Sequence, residues 1–136
     1  MANAKKHFLQ LRQIETEDLR RILELANGFK LGVGPDRQAR PLEGRVLAMI
    51  FEKPSTRTRV SFEVAMKQLG GSVVALSPTE MQIGRGETIA DTARVLSRYV
   101  DAIMMRTAEN QKLAELASFS RVPVINGLTE HSHPCQ

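Results

Sequence analysis

From Glu15 to Lys30 the chain reads ETEDLRRILELANGFK, which opens on acids, spaces Leu19, Ile22, Leu23 and Ala26 along one helical face, and places Asn27 and Gly28 near its end. This pattern predicts an amphipathic helix. GVGPDRQARPLEG then gathers glycines and prolines and yields to RVLAMIF, residues 45–51, an apolar run with no alternating polar positions. Such a run predicts a strand covered on both faces. Val60, Ala65, Met66 and Leu69 resume a helical face that stops at Gly70 and Gly71, and SVVAL follows as a second short strand. The unit recurs: GETIADTARVLSRYV is helical, DAIMMR a third strand, AENQKLAELASFS a helix, and VPVINGL a fourth strand. Parallel neighbours need a crossover, usually a right-handed helical one, so the alternation predicts an α/β fold. The expected form is a three-layer domain with a four-stranded parallel sheet flanked by helices.

Length and composition then narrow the function classes. The 136 residues match one domain with a single core, so residues 1–136 are read as one unit. With 42% hydrophobic and 25% charged residues, and no apolar run approaching the ~20 residues of a membrane helix, a soluble protein with no membrane partner is expected. The N-terminal MANAKKHFLQL lacks a secretory apolar segment and Cys135 has no second cysteine to pair with, so a cytoplasmic setting is expected. A net charge of +4 could serve nucleic acid, but the basic residues are dispersed among 15 acids and aromatics are only 4%. A mildly basic solvated surface, with no nucleic-acid partner, is the better reading.

Ligand sites of parallel sheets lie beyond the carboxyl ends of the strands. The segments there are polar: Ser55, Thr56, Arg57, Thr58 and Arg59 after the first strand, SPTEMQIGRGE after the second, Arg106 and Thr107 after the third, and TEHSHPCQ after the fourth. Pro54 stands where a helix can begin, and the following residues offer free N–H groups, hydroxyls and the positive end of the helix dipole, an arrangement that binds phosphate. Arginine adds a forked donor set that meets phosphate oxygens two at a time. A helix cap needs one hydroxyl only; three in the four residues after Pro54, interleaved with arginine, favour an anion over a bare cap. No GxxxxGK[ST] or GxGxxG loop occurs.

FEKPSTRTRVSFE contains STRTR, and the chain closes on HPCQ. In both it resembles the aspartate and ornithine carbamoyltransferase superfamily. FEK before the motif, MQIGRGET after the second strand and Cys135 within HPCQ are similar to the ornithine branch; the aspartate branch typically has HPTQ, with a serine and a lysine in that loop. The resemblance implies that Ser55, Thr56, Arg57 and Thr58 hold the phosphate of carbamoyl phosphate. It also implies that Thr58 reaches the carbonyl oxygen, Arg106 bridges phosphate and carbonyl, His133 donates to the carbonyl oxygen, and Gln136 contacts the carbamoyl amino group. Gln82 would reach into a neighbouring subunit's phosphate site, implying a homotrimer. Neither a cofactor nor a metal is implied. A second domain that binds L-ornithine follows in the family, and these residues resemble the N-terminal half alone, expected to bind carbamoyl phosphate without turnover. An aspartate-type or other carbamoyltransferase, or a non-catalytic phosphate-binding module, is the alternative.

Other features have plainer explanations. Arg59 has no implied role and reads as an ion-pair partner for Glu63 one turn on. His131, His133 and Cys135 could suggest zinc, but a fourth ligand is missing. Cys135 reads as a small buried packing residue, not a nucleophile. Glu87 could steer Arg57 or favour a helix start, and Asp91 reads as a solvated or capping acid.

Overall fold

The computed structural model describes residues 5–32, 40–81, 83 and 85–136. Helix α1 runs over Thr16–Leu31, β1 over Val46–Phe51, α2 over Thr56–Gln68, β2 over Ser72–Leu76, α3 over Ile89–Leu96, β3 over Ala102–Arg106, α4 over Asn110–Phe119 and β4 over Val124–Leu128. The four strands form one parallel sheet in the order β2-β1-β3-β4. The expected α/β architecture is present, with a core on each face of the sheet. On one face Ala48, Ile50, Ile103, Met105 and Val124 pack with Ile89, Ala93, Leu113, Leu116 and Ala117 of α3 and α4. On the other, Leu47, Met49 and Met104 meet Phe62 and Met66 of α2. Successive strand residues point to opposite faces, so an unbroken apolar run is what a strand with helices on both sides requires.

Sheet order decides where the ligand cleft opens. The chain leaves β1 through α2 to β2 on one side and returns through α3 to β3 on the other. The connections after β1 and β3 therefore diverge, and a crevice forms at the carboxyl ends of these two strands. Phe51 pairs with Arg106 in the register there. Beyond β4, residues 7–9 run parallel to the edge: Phe8 N–H donates to Val124 O at 2.8 Å, and Asn126 N–H donates to Phe8 O at 2.8 Å. An otherwise open edge is thereby capped.

Helix α1 departs from expectation. It forms where the pattern places it but extends past Gly28 and ends at Gly32, whose φ of 61° suits a left-handed cap. None of its residues is buried, and Ile22, Leu23, Leu25, Phe29 and Leu31 are exposed. Of the apolar face of Leu19, Ile22, Leu23 and Ala26, Leu19 is half-buried and the other three are exposed. Periodicity reports that a face can bury, while burial depends on a second surface being present. A contrast in stability checks this. Leu116→Ala, at a site with 0% exposure, is expected to cost about 2–5 kcal/mol, whereas Leu23→Ala, at 69% exposure, should change chemical denaturation by about 0.5 kcal/mol or less.

Candidate active site

Pro54 lies outside α2 instead of opening it. Ser55 is the N-cap, with φ −156° and ψ 106°, and its hydroxyl accepts from Thr58 N–H at 3.3 Å. A residue before proline is pushed away from helical geometry, and Ser55, one place later, keeps an extended backbone that lets its side chain fold over the first turn. The helix then starts at Thr56. The N–H groups of Thr56 and Arg57 stand at its open positive end, where helix geometry supplies no acceptor. Thr58 is buried at 8% exposure and turns its hydroxyl inward, while Arg57 is exposed and has no carboxylate partner among the described residues. Arg59 lies 3.9 Å from Glu63, which also receives Lys67 at 3.5 Å, so the two arginines differ in their surroundings.

Arg106 enters from the end of β3. One guanidinium nitrogen donates to Thr58 Oγ1 at 3.2 Å and to Gly127 O at 3.4 Å; its Nε is buried with no partner. A glycine stands at 127 because a Cβ there would overlap the Met104 sulfur and crowd Met105 O. The β3 to β4 pairing shifts between Met105 and Arg106, and Leu128 takes a φ of 140°. That conformation costs a non-glycine residue on the order of 1–3 kcal/mol and is held here by the surrounding bonds. Leu128 N–H donates to Asn126 Oδ1 at 2.9 Å, and Thr107 N–H donates to Leu128 O at 3.0 Å.

Asn126 organises the last segment. It is fully buried, and its amide donates to Leu9 O at 2.9 Å, Ser132 O at 3.3 Å and Ser132 Oγ at 3.2 Å. Pinning Ser132 sets the backbone that presents His133, and Gln136 N–H returns to His133 O at 3.2 Å. The imidazole is partly buried with its Nδ1 unpartnered. Desolvation, helped by the Arg106 charge, holds the His133 pKa below the ordinary histidine value, so the ring is neutral at pH 7 and can donate from one nitrogen only. Cys135 is exposed as a residue, but its thiol is largely covered, as expected of a packing group: the sulfur sits 3.6 Å from Asn126 O, and its burial raises its pKa.

Ser55, Arg57, Thr58, Arg106, His133 and Gln136 together line one cavity of about 370 Å³, with Ser61, Phe62, Leu128 and Cys135 completing its wall. Thr56 does not line it, but stands at the helix end between this cavity and a neighbouring one shared with Glu52, Arg59 and Glu80. Gln82 lies outside the described residues. Among the described residues no three His, Cys, Asp or Glu side chains gather in a way that could hold a metal. Thr88, not Glu87, caps α3 by accepting from Asp91 N–H at 3.1 Å, and Asp91 pairs with Arg94 at 2.7 Å on the surface.

Asn126 and Lys112 went unnoticed in the sequence, and Glu52 and Thr107, though quoted within polar segments, were given no role. The signal for Asn126 was available, as a lone amide inside an apolar strand run has to find partners or pay a large desolvation cost. Glu52, Thr107 and Lys112 carry no such mark, because their meeting depends on β1 and β3 lying side by side.

Chemically, the arrangement is a pocket of fixed donors. Arginine, hydroxyl, imidazole and helix N–H groups converge from three chain segments, and among the described residues no Asp or Glu lines the cavity itself. Such a site takes an anion with a polar carbonyl-like neighbour. Residues 6–136 match the model of the family described as aspartate/ornithine carbamoyltransferase, carbamoyl-P binding domain. The chain is 57% identical over 141 aligned residues to ornithine carbamoyltransferase of Rhodopseudomonas palustris, covering 100% of this chain and 45% of that protein. It is 60% identical to the enzyme of that name from Agrobacterium fabrum, over 96% of this chain and 43% of the relative. The solved ornithine carbamoyltransferase of Pyrococcus furiosus superposes with a TM-score of 0.88 at 53% identity, over 97% of this chain and 42% of that one. The chain therefore spans less than half the length of these relatives. Sequence match, parallel-sheet order and the donor-lined cavity agree, and the chain belongs to the aspartate/ornithine carbamoyltransferase family, in its carbamoyl-P binding domain.

Proposed function

We propose that residues 1–136 form the carbamoyl phosphate-binding part of an ornithine carbamoyltransferase. The activity of the whole protein would be transfer of the carbamoyl group from carbamoyl phosphate to L-ornithine, giving L-citrulline and phosphate in cytoplasmic arginine metabolism. The convergence of Arg57, Thr58, Arg106, His133 and Gln136 on one cavity beside the α2 N-terminus carries this reading. The buried, unpartnered Arg106 Nε and His133 Nδ1 support it, since buried polar atoms without partners point to a missing acceptor or donor. The remaining length of the relatives would carry the L-ornithine site. Gln82 would serve the phosphate site of a neighbouring copy in a homotrimer.

The chemistry follows from charge. A neutral amine attacks the carbonyl carbon, the C–O bond to phosphate breaks, and the amine proton is lost as phosphate departs. Negative charge grows on the carbonyl oxygen and then on phosphate. Thr58, Arg106 and neutral His133 would stabilise the first as an oxyanion hole. Ser55, Thr56, Arg57 and the helix end would stabilise the second. Gln136 would orient the carbamoyl amino group, and holding amine and carbonyl in register supplies the proximity term. Fixed donors suffice, with no covalent nucleophile and no cofactor.

Calorimetric titration of carbamoyl phosphate into the 136-residue chain tests the site. Arg57→Ala is expected to weaken binding about tenfold or more, and Arg59→Ala, whose guanidinium already faces Glu63, by less than about threefold. Equal losses would refute the division between them. Arg106→Ala in the full-length gene product should lower citrulline formation by about two to three orders of magnitude in kcat.

The histidine gives an independent check. Its pKa is held down by desolvation and by Arg106, so the folded state resists protonation relative to the unfolded state. Stability is therefore unaffected above the unfolded value of 6.5 and falls as pH drops below it, levelling once His133 is charged in the folded state too. In proton NMR, His133, assigned by loss of its signal in His133→Asn, should titrate below 6.5 without ligand and shift upward when phosphate binds. An unshifted resonance would place the anion elsewhere.

A further inference from the structure

Behind the cavity wall a second polar group ties together the two loops that make the site. Glu52, the first residue beyond β1, stands three positions before the helix cap Ser55. Its N–H donates to Arg106 O at 3.0 Å. Its carboxylate accepts from Thr107 Oγ1 at 2.6 Å and from Lys112 Nζ at 3.1 Å. Thr107 is 1% exposed and in turn accepts from Glu109 N–H at 3.3 Å, and Lys112 also reaches Glu109 at 3.2 Å. The Lys112 and Glu52 side chains are largely covered, at 32% and 21% exposure. Burial disfavours the Lys112 charge, but the two carboxylates outweigh it and raise its pKa, so the ammonium persists at neutral pH.

The placement poses an electrostatic problem. Three residues of chain span at most about 10 Å, which puts the Glu52 carboxylate within roughly one Debye length of any anion at the α2 N-terminus. Glu52 also lines the cavity shared with Ser55, Thr56 and Arg59. An uncompensated carboxylate there would repel an incoming phosphate and compete for the arginines meant to hold it. Thr107 fixes the direction of the carboxylate, and Lys112, in the first turn of α4, balances its charge.

We propose that Lys112 is a positioning residue of the anion site: acting through Glu52, it neutralises and holds back a carboxylate that otherwise opposes phosphate binding. This rests on the anion-site reading given above and adds a residue that touches no substrate. A mere clamp and a charge balance make opposite statements about the partner. If the pair only ties two loops, removing either side loosens the site, and removing both is no better. If charge balance matters, taking away the Glu52 charge relieves the need for Lys112.

Affinities for inorganic phosphate and for carbamoyl phosphate, measured by calorimetry on the 136-residue chain at low salt, separate these, with thermal midpoints recorded without anion. Lys112→Met is expected to bind both anions about three- to tenfold more weakly, and Lys112→Arg to stay near the unsubstituted chain. Glu52→Gln, which keeps an oxygen to accept from Thr107, should bind at least as tightly as the unsubstituted chain. Adding it to Lys112→Met should restore affinity to within about twofold, even where the midpoint stays depressed. Glu52→Gln alone decides the matter if Lys112→Met does not fold: weaker anion binding in that variant overturns the proposal. Unchanged affinity in folded Lys112→Met, or a double variant no tighter than Lys112→Met, overturns it as well. An unsubstituted chain that binds neither anion overturns the anion-site reading and this inference with it.

Discussion

Parallel pairing of β1 with β3 is the constraint from which the site follows. Leu47 to Phe51 lie in register with Ala102 to Arg106, so the last residue of β3 ends beside the last residue of β1. β2 occupies the other side of β1, so the chain must leave β1 and β3 in different directions. The space between those departures is where α2 begins and where the Arg106 side chain emerges. Were β3 placed outside β2, the same helix end and the same arginine would stand two strand spacings apart, roughly 10 Å, too far for a guanidinium to reach Thr58.

Arg106 is held in that space beside constrained backbone. Its contact with Gly127 O falls where β4 passes Met104 with a glycine, beside a register shift at Met105 and an unusual backbone angle at Leu128. The Asn126 side chain bonds Leu9 O, Leu128 N–H and Ser132, and the same amide holds the segment that carries His133. Strain and site are thus one arrangement: the bonds that hold Leu128 in place also deliver the imidazole. Desolvation and the Arg106 charge then keep that imidazole neutral, which suits a group that donates to a carbonyl oxygen more than one that pairs with phosphate.

The charge pattern around the cavity is graded. Arg57 faces solvent without a carboxylate beside it among the described residues, Arg59 sits near Glu63, and Glu52 is turned toward Thr107 and Lys112. Positive charge is concentrated at the helix end because these countercharges lie elsewhere, a matter of orientation more than of net charge. α1 stands apart from all of this, with most of its apolar face exposed.

The strands and most helices were legible because their signals are local. VLAMIF and AIMMR carry their two-sided burial in the residues themselves, and Ser55 and Thr88 mark helix starts through short-range hydroxyl bonds. Six of the residues that line the cavity, Ser55, Arg57, Thr58, Arg106, His133 and Gln136, could be named from the STRTR and HPCQ motifs and the rule that parallel sheets bind ligands at their carboxyl ends, whereas Ser61, Phe62 and Leu128 could not. Three further things were not legible. The exposed face of α1 depends on what lies opposite it, which periodicity does not encode. The placing of the Cys135 thiol against Asn126 O depends on how Asn126 routes the last loop. The Glu52, Thr107 and Lys112 group spans 60 positions of sequence between its ends and exists only because β1 and β3 are neighbours. Local sequence sets which element forms and which chemistry it carries; strand order and the packing of loops decide which of those chemistries meet, because contact between distant residues is a property of the sheet and not of any segment within it.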